Sequence, residues 1–388
     1  MSYIWNLPTK VLFGPGMLQK LGDEKLPGKK ALLVISNGKS VRENGALEQT
    51  QQQLSKAGCE YVLYDQIQAN PTVENMTGGI ETARENGCDF VVGLGGGSVL
   101  DAVTVIAAVV PQKEGVLWDF VPGGSGGKKE LSEPSLPYVE ITTSAGTGSE
   151  VDAWGVVTNT KTKEKIGFKG AMPTLAVVDP ELMLSVPPNF TAYQGFDALF
   201  HSVEGFISNV RNEAGDMFQL TAVKALGKYL PLAVHQGDNL EARTQVAFAN
   251  TMSGYSMEVC SCSSEHALEH ALSGHHDNLP HGAGLVMLSL AYYGHFIKEH
   301  ACDDRFIALA RALGVCDACR PEDFLVALKK LEEDCGVGDL KMSDFGITED
   351  ELETIAKDAR YTMTGLYAVD PAPLTDEDAL EILRKSFK

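Results

Sequence analysis

Positive charge is scarce in this chain. Across 388 residues, 32 lysines and arginines face 52 aspartates and glutamates, a formal net charge of -20. Such an anionic excess is repelled by phosphate backbones and anionic lipid heads, which argues against nucleic acid and membrane surfaces as partners. Long apolar runs are also missing: none reaches the roughly 20 residues that a bilayer-spanning helix needs. The eight cysteines are too dilute for a disulfide scaffold, which fits a reducing cytoplasm. Their one close pair, Cys316-x-x-Cys319, has no second pair and no neighbouring histidine, so it reads as two ordinary thiols at a helix end. The opening MSYIWNLPTK shows no charged leader, apolar core or cleavage site, and the expectation is again a cytoplasmic protein. Histidine is rare too, nine in all, yet five fall in the single stretch HALEHALSGHHDNLPHG, 266–282.

What is present argues for two domains, because 388 residues exceed what one hydrophobic core usually serves. Hydrophobic residues make up 44% of the chain, ordinary for a globular protein. The first half alternates. ALLVISNG (31–38), YVLYDQI (61–67), DFVVGLGGGS (89–98), YVEITTSAGTGSE (138–150) and TLAVVD (174–179) read as strands running into turns. Between them lie an amphipathic segment near 43–57, a capped helix in NPTVENMTGGIETARENG, and an apolar, buried helix in VLDAVTVIAAVV (99–110). Residues 151–168 resemble a hairpin, and VPGGSGGKKE (121–130) reads as a flexible loop. Beyond VPPN (186–189) no strand is evident and helical periodicity dominates. The expectation is an α/β domain with a parallel sheet over 1–185 and an all-helical domain over 186–388.

Two glycine loops carry chemistry. GLGGGSVLD (93–101) leaves a strand and opens a helix, where bare amides and the helix dipole can hold a phosphate. It departs from the G-x-G-x-x-G spacing, with Ser98 in the third place, and alone it fits a tight turn equally well. TTSAGTGSE (142–150) is a second such loop. Loops at the carboxyl ends of parallel strands share one sheet edge, where ligands bind in open α/β sheets. A nucleotide with several phosphates is the preferred reading.

Asp197 and His201 stand four apart on a predicted helix, and His266 and His270 repeat the spacing on another. Residues so spaced share a helix face. With His281, beyond a proline, they offer one carboxylate and several imidazoles, a set suited to Fe2+ or Zn2+. Such spacings also arise by chance. His275 and His276, in a polar turn, read as solvated rather than ligating, and His235, His295 and His300 carry no assigned role.

The ordered set GGGSVLD, TTSAGTGSEV, VVDPEL, GFDALFHSVEG and EHALSGHHDNLPHG resembles the iron-containing (group III) alcohol dehydrogenases, from about Phe13 to LTDEDALEIL (374–383). The resemblance implies a dinucleotide-binding domain, a helical metal domain and an active site between them. It implies that Asp197, His201, His266 and His281 ligate the metal and that His270 lies near the substrate and nicotinamide; the neutral titration range of an imidazole suits His270 to a proton relay, with a purely orienting role as the alternative. It implies that Gly96, Gly97 and Ser98 hold the pyrophosphate, and that Asn70, Thr143, Ser144, Thr147 and Lys165 contact the cofactor. Three departures stand out. The loop from His270 to His281 is one residue longer than in many relatives. Phe200 replaces a usual threonine. After the first cofactor strand, Ser36 stands where NAD-preferring members often carry an aspartate. With Ser36, Asn37, Lys39 and Ser40 there, NADP(H) is expected over NAD(H), since an acidic residue would bond the ribose hydroxyl and repel a 2′-phosphate.

The implied activity is hydride transfer between NAD(P)(H) and a small primary alcohol or aldehyde, assisted by Fe2+, with Zn2+ or another divalent ion possible, in a homodimer or larger homo-oligomer. Two alternatives stand beside it. One is a metal- and NAD-dependent lyase or cyclase of the dehydroquinate synthase type, which would need basic residues for its substrate. The other is a non-catalytic metal- or nucleotide-binding relative.

Overall fold

The computed structural model describes residues 5–388. The first part alternates strand and helix: β1 (Lys10–Phe13), β2 (Lys30–Ser36), α1 (Ser40–Glu43), α2 (Ala46–Lys56), β3 (Glu60–Ile67), α3 (Val73–Asn86), β4 (Phe90–Gly95), α4 (Gly97–Val109) and β5 (Tyr138–Thr142). A hairpin, β6 (Trp154–Asn159) and β7 (Glu164–Lys169), precedes β8 (Leu175–Val178). Six strands form one sheet in the order β1-β8-β5-β4-β2-β3, every neighbouring pair parallel. The hairpin is a separate antiparallel ribbon, with Trp154 opposite Lys169 and Asn159 opposite Glu164.

Period-two alternation explains how the sheet is covered. Ala31, Leu33 and Ile35 of β2 pack with Leu47 and Leu54 of α2 on one face. Leu32 and Val34 point the other way, against Met76 and Ile80 of α3 and Ile106 of α4. Strands buried on both faces read as continuous apolar runs, as these do. The sequence predicted a capped helix after NPT, and α3 has a capping box in which Thr72 and Asn75 satisfy each other's backbone amides. The β2 connection leaves over one face toward β3, whereas that of β4 leaves over the other toward β5. The crevice between β2 and β4 is therefore the switch point of the sheet.

From Pro188 onward the chain is helical: α5 (Pro188–Ile207), α6 (Glu213–His235), α7 (Leu240–Val259), α8 (Ser264–His275), α9 (His281–Lys298), α10 (Asp303–Ala312), α11 (Glu322–Asp334), α12 (Leu352–Tyr367) and α13 (Asp376–Ser386). One hydrophobic core joins them, with Phe196, Phe200, Tyr292, Tyr293 and Phe296 fully buried. Phe200, the bulky departure beside His201, faces this core and packs on Tyr293, with ring centroids 5.9 Å apart.

Buried hydrogen bonds clip the loop after β5 to α7. Gly148 N–H donates to Asn250 Oδ1 at 2.9 Å, and Glu150 Oε1 accepts from Asn250 Nδ2 and Thr251 Oγ1 of α7. The 121–130 segment differs from expectation. It is tied down rather than flexible, because Glu164 of β7 accepts from Ser125 N–H at 2.7 Å. Gly123 also lies so close to α12 that a Cβ there would sit 2.1 Å from the Thr362 carbonyl oxygen. Among the described residues no helix is long and apolar enough to cross a membrane, and all eight cysteines are free.

Candidate metal centre and dinucleotide cleft

α5 is buried along almost its whole length, and its inner face carries Asp197 and, one turn on, His201. α8 is equally buried and presents His266 and His270. His281 is the first residue of α9, placed by Pro280 at the N-cap. These three helices bring three candidate imidazoles onto one oxygen of the fourth side chain, Asp197. Asp197 Oδ1 lies 3.7 Å from His201 Nε2, 3.5 Å from His266 Nε2 and 3.4 Å from His281 Nε2. Ligand atoms of Asp197, His201 and His266 fall within 4.8 Å of one another, and the rings of His201 and His266 stack at 4.4 Å.

The fit to a metal rests on polar atoms left without partners. Asp197 Oδ1 and His266 Nε2 are buried and form no hydrogen bond. Buried polar atoms are almost always satisfied, so converging orphans need a further group. Three imidazoles and a carboxylate are donors for a borderline divalent cation.

Two carboxylates that sequence reasoning missed set the ring orientations. Glu204 of α5 lies against His266 Nδ1, and Glu269 of α8 lies against His281 Nδ1. Such partners fix the tautomer and turn the other ring nitrogen toward the site. Spacing puts Glu204, two turns beyond Asp197, and Glu269, three residues beyond His266, on the faces of the candidate ligands but gives no sign of their burial. Electrostatics follows the same pairs. Burial pushes the Asp197 carboxyl up, but His201 and His281 outweigh it and hold the group well below its ordinary range. Burial lowers His201 to about 3. It also opposes charge on His266 and His281, yet Glu204 raises the first and Glu269 the second. Loading the site with a cation therefore releases protons.

A cavity of about 480 Å³ runs from this cluster to the glycine loops. Asn70, Ser98, Thr147 and Lys165 line it, together with His270. Asn70 adopts a left-handed backbone, φ 49°, and its side chain donates to the Asp277 carbonyl at 3.2 Å. Gly96, Gly97, Thr143 and Ser144 stand behind this wall, where the two loops interlock. Thr143 N–H donates to the Gly95 carbonyl at 2.9 Å. A Cβ on Gly97 would meet Thr147 Cγ2 at 2.3 Å, and one on Gly96 would meet Ser144 Oγ at 3.2 Å. The glycines are thus needed for close approach as well as for exposing amides. Ser36, Asn37 and Ser40 are not brought to the cavity. They sit at the carboxyl end of β2, on the sheet edge shared with the loop after β4.

His270 Nδ1 lies 3.0 Å from Met363 Sδ, at a point where α12 departs from helical geometry. Burial and the Lys165 charge hold His270 well below the usual imidazole range. His275 and His276 are not simply solvated: they pair with Asp358 at 2.7 Å and Glu351 at 2.9 Å.

Two family models match the chain in order. One, described as iron-containing alcohol dehydrogenase, covers residues 8–180, and one described as the C-terminal part of the Fe-containing alcohol dehydrogenase family covers residues 191–387. Among curated proteins, the 1,3-propanediol dehydrogenase of Citrobacter freundii is 32% identical over 98% of each chain. The NADH-dependent butanol dehydrogenase A of Clostridium acetobutylicum is 29% identical over 100% of each. Among solved structures, an archaeal halo-thermophilic alcohol dehydrogenase from a Red Sea brine pool superposes with a TM-score of 0.94, at 32% identity, over 100% of this chain and 99% of that one.

Proposed function

Because the chain belongs to the iron-containing alcohol dehydrogenase family, we propose that it moves hydride reversibly between a small primary alcohol, or its aldehyde, and a nicotinamide dinucleotide. Residues 1–185 bind the dinucleotide and residues 186–388 hold the metal. The observation that carries this reading is the single cavity joining the Asp197 cluster to the two glycine loops. Relatives named for 1,3-propanediol and butanol support a short, uncharged substrate.

When bound, Fe2+ or another divalent ion would polarise the substrate oxygen as a Lewis acid, and the dinucleotide would carry the hydride. Asp197, His201, His266 and His281 would hold the ion, and the amides of Gly96, Gly97 and Ser98 the pyrophosphate. Thr143, Ser144, Thr147, Asn70 and Lys165 line or back the rest of the cofactor's path. His270 is neutral, and with Nδ1 engaged by Met363 its Nε2 is the nitrogen available to orient a substrate hydroxyl. Residues of the hairpin and α12, among them Trp154, Ile166 and Met363, close the cavity around the reacting atoms and exclude water. The lyase alternative needs cations to grip an anionic substrate. Of the two lysines at the cavity, Lys128 and Lys165, the second is committed to Glu269.

For the cofactor's 2′ position, Ser36, Asn37, Lys39 and Ser40 offer no carboxylate. Nearby Asp65 is paired with Arg42 at 2.6 Å. This supports acceptance of NADP(H), whereas relatives named NADH-dependent favour NAD(H). Protein purified without oxygen, stripped and reloaded with Fe2+ or Zn2+, should oxidise NADPH or NADH with short aldehydes only when loaded. Absence of turnover in metal-replete protein would remove the proposal.

A further inference from the structure

Glu269 is a fully buried carboxylate whose contacts reach beyond the His281 ring to the β6–β7 hairpin. It sits on α8 between His266 and His270, with none of its surface exposed. Burying an unpaired charge is costly, so a fold keeps one where it is partnered. Glu269 has two partners on different elements. Its Oε2 lies against His281 Nδ1, the first residue of α9. The same oxygen is 3.5 Å from Lys165 Nζ on β7, and that ammonium also donates to Ser273 Oγ at 2.9 Å. Room has been made for it. One turn beyond His281, a Cβ on Gly284 would lie 2.8 Å from Glu269 Cγ and 2.9 Å from its Oε1.

We infer that Glu269 is a positioning residue that serves both halves of the cleft. It holds the His281 ring with Nε2 toward Asp197, and through Lys165 it pins the β6–β7 hairpin against α8. The inference rests on the proposed metal role of the Asp197 cluster. Without Glu269 the His281 ring is free to turn, and Lys165 loses its only carboxylate ion-pair partner among the described residues. A competing arrangement makes Glu269 itself a ligand, since it brings an oxygen within 4.8 Å of His270 and His281 nitrogens. The two differ in what an amide does at this position. A glutamine oxygen still accepts from His281 Nδ1–H, but an amide neither neutralises a cation nor pairs with an ammonium.

The test uses full-length wild type, Glu269→Gln and Glu269→Ala, each checked for folding by circular dichroism. Zn2+ affinity is measured by chelator competition, and amide hydrogen exchange of β7 is followed in metal-free protein. Positioning predicts Zn2+ binding weakened by roughly 10–100-fold in Glu269→Ala, restored to within about threefold of wild type in Glu269→Gln, with faster β7 exchange in both. Unchanged Zn2+ affinity in Glu269→Ala overturns the role toward His281. Unchanged β7 exchange overturns the role toward Lys165. Equal, large losses in both variants would make Glu269 a ligand and overturn positioning. If wild type binds no metal, the functional reading itself falls. Tight wild-type binding with no effect of Glu269→Ala refutes only this inference.

Discussion

A serine at the end of β2 holds the cofactor question at the scale of one side chain. Ser36 ends a strand whose next residues, through Ser40, are exposed. In open α/β sheets an acidic group at this place bonds the ribose 2′-hydroxyl and repels a 2′-phosphate. Ser36→Asp should therefore move the ratio of kcat/KM for NADH over NADPH at least about tenfold toward NADH, a differential of about 1.4 kcal/mol in transition-state binding. Steady-state kinetics with both cofactors checks it, and an unmoved ratio would mean that the dinucleotide's ribose lies elsewhere. The histidines were legible because helical spacing puts Asp197 with His201, and His266 with His270, on common faces. Glu204 and Glu269 were not. A glutamate on a helix normally faces solvent, and only tertiary packing shows that these two are buried against imidazoles.

At the scale of elements, the loop after β5 meets α7 through bare backbone. Gly148 has φ +69°, and a Cβ on Gly254 would stand 2.2 Å from the Gly148 carbonyl oxygen. The atom in the way is main chain held by Asn250, so it cannot swing aside as a side-chain tip would. Gly254→Ala should cost about 1–3 kcal/mol of stability through overpacking. It should also loosen the loop that carries Thr147 into the cavity. A urea-unfolding midpoint equal to that of wild type would contradict this. The strand and helix assignments followed from period-two and 3.6 patterns, but the 121–130 segment shows where local reading stops. Its glycines and lysines look like free loop. They fit instead because Glu164 and α12, distant in sequence, reach the loop. His275 and His276 mislead in the same way, since their partners lie on or just before α12, more than 70 residues later.

Across the whole molecule, buried acids give stability an unusual dependence on pH. Burial raises Asp101, Glu150, Glu332 and Asp370 each to about 7. A carboxyl raised in the folded state binds its proton more tightly there than when unfolded. Its stabilisation is complete below the unfolded value, near 4.5 for a glutamate, and is lost as pH rises through 7. Glu332 is on α11 facing α9, where Ser289 Oγ donates to it at 2.8 Å. Glu332→Gln keeps an acceptor for that hydroxyl and removes the titration. Relative to wild type, the variant should gain up to about 3 kcal/mol between pH 4.5 and pH 8, since 2.5 units at 1.36 kcal/mol each set the ceiling. Urea unfolding of both proteins at the two pH values measures it, and a constant difference would refute the assignment.

Sequence by itself determined the alternation of strands and helices, the change to an all-helical part, the two glycine loops and the helical spacings that pair Asp197 with His201 and His266 with His270. These are properties of spacing within single elements, where backbone geometry dictates which residues share a face. Only the tertiary structure decided that three helices converge on Asp197 Oδ1 and that Glu204 and Glu269 turn the rings. It also decided that His270 is held neutral beside Lys165, and that the segment 121–130 closes against α12. The reason is physical: burial, desolvation and contacts between distant residues arise only when separate elements pack, and no local periodicity encodes them.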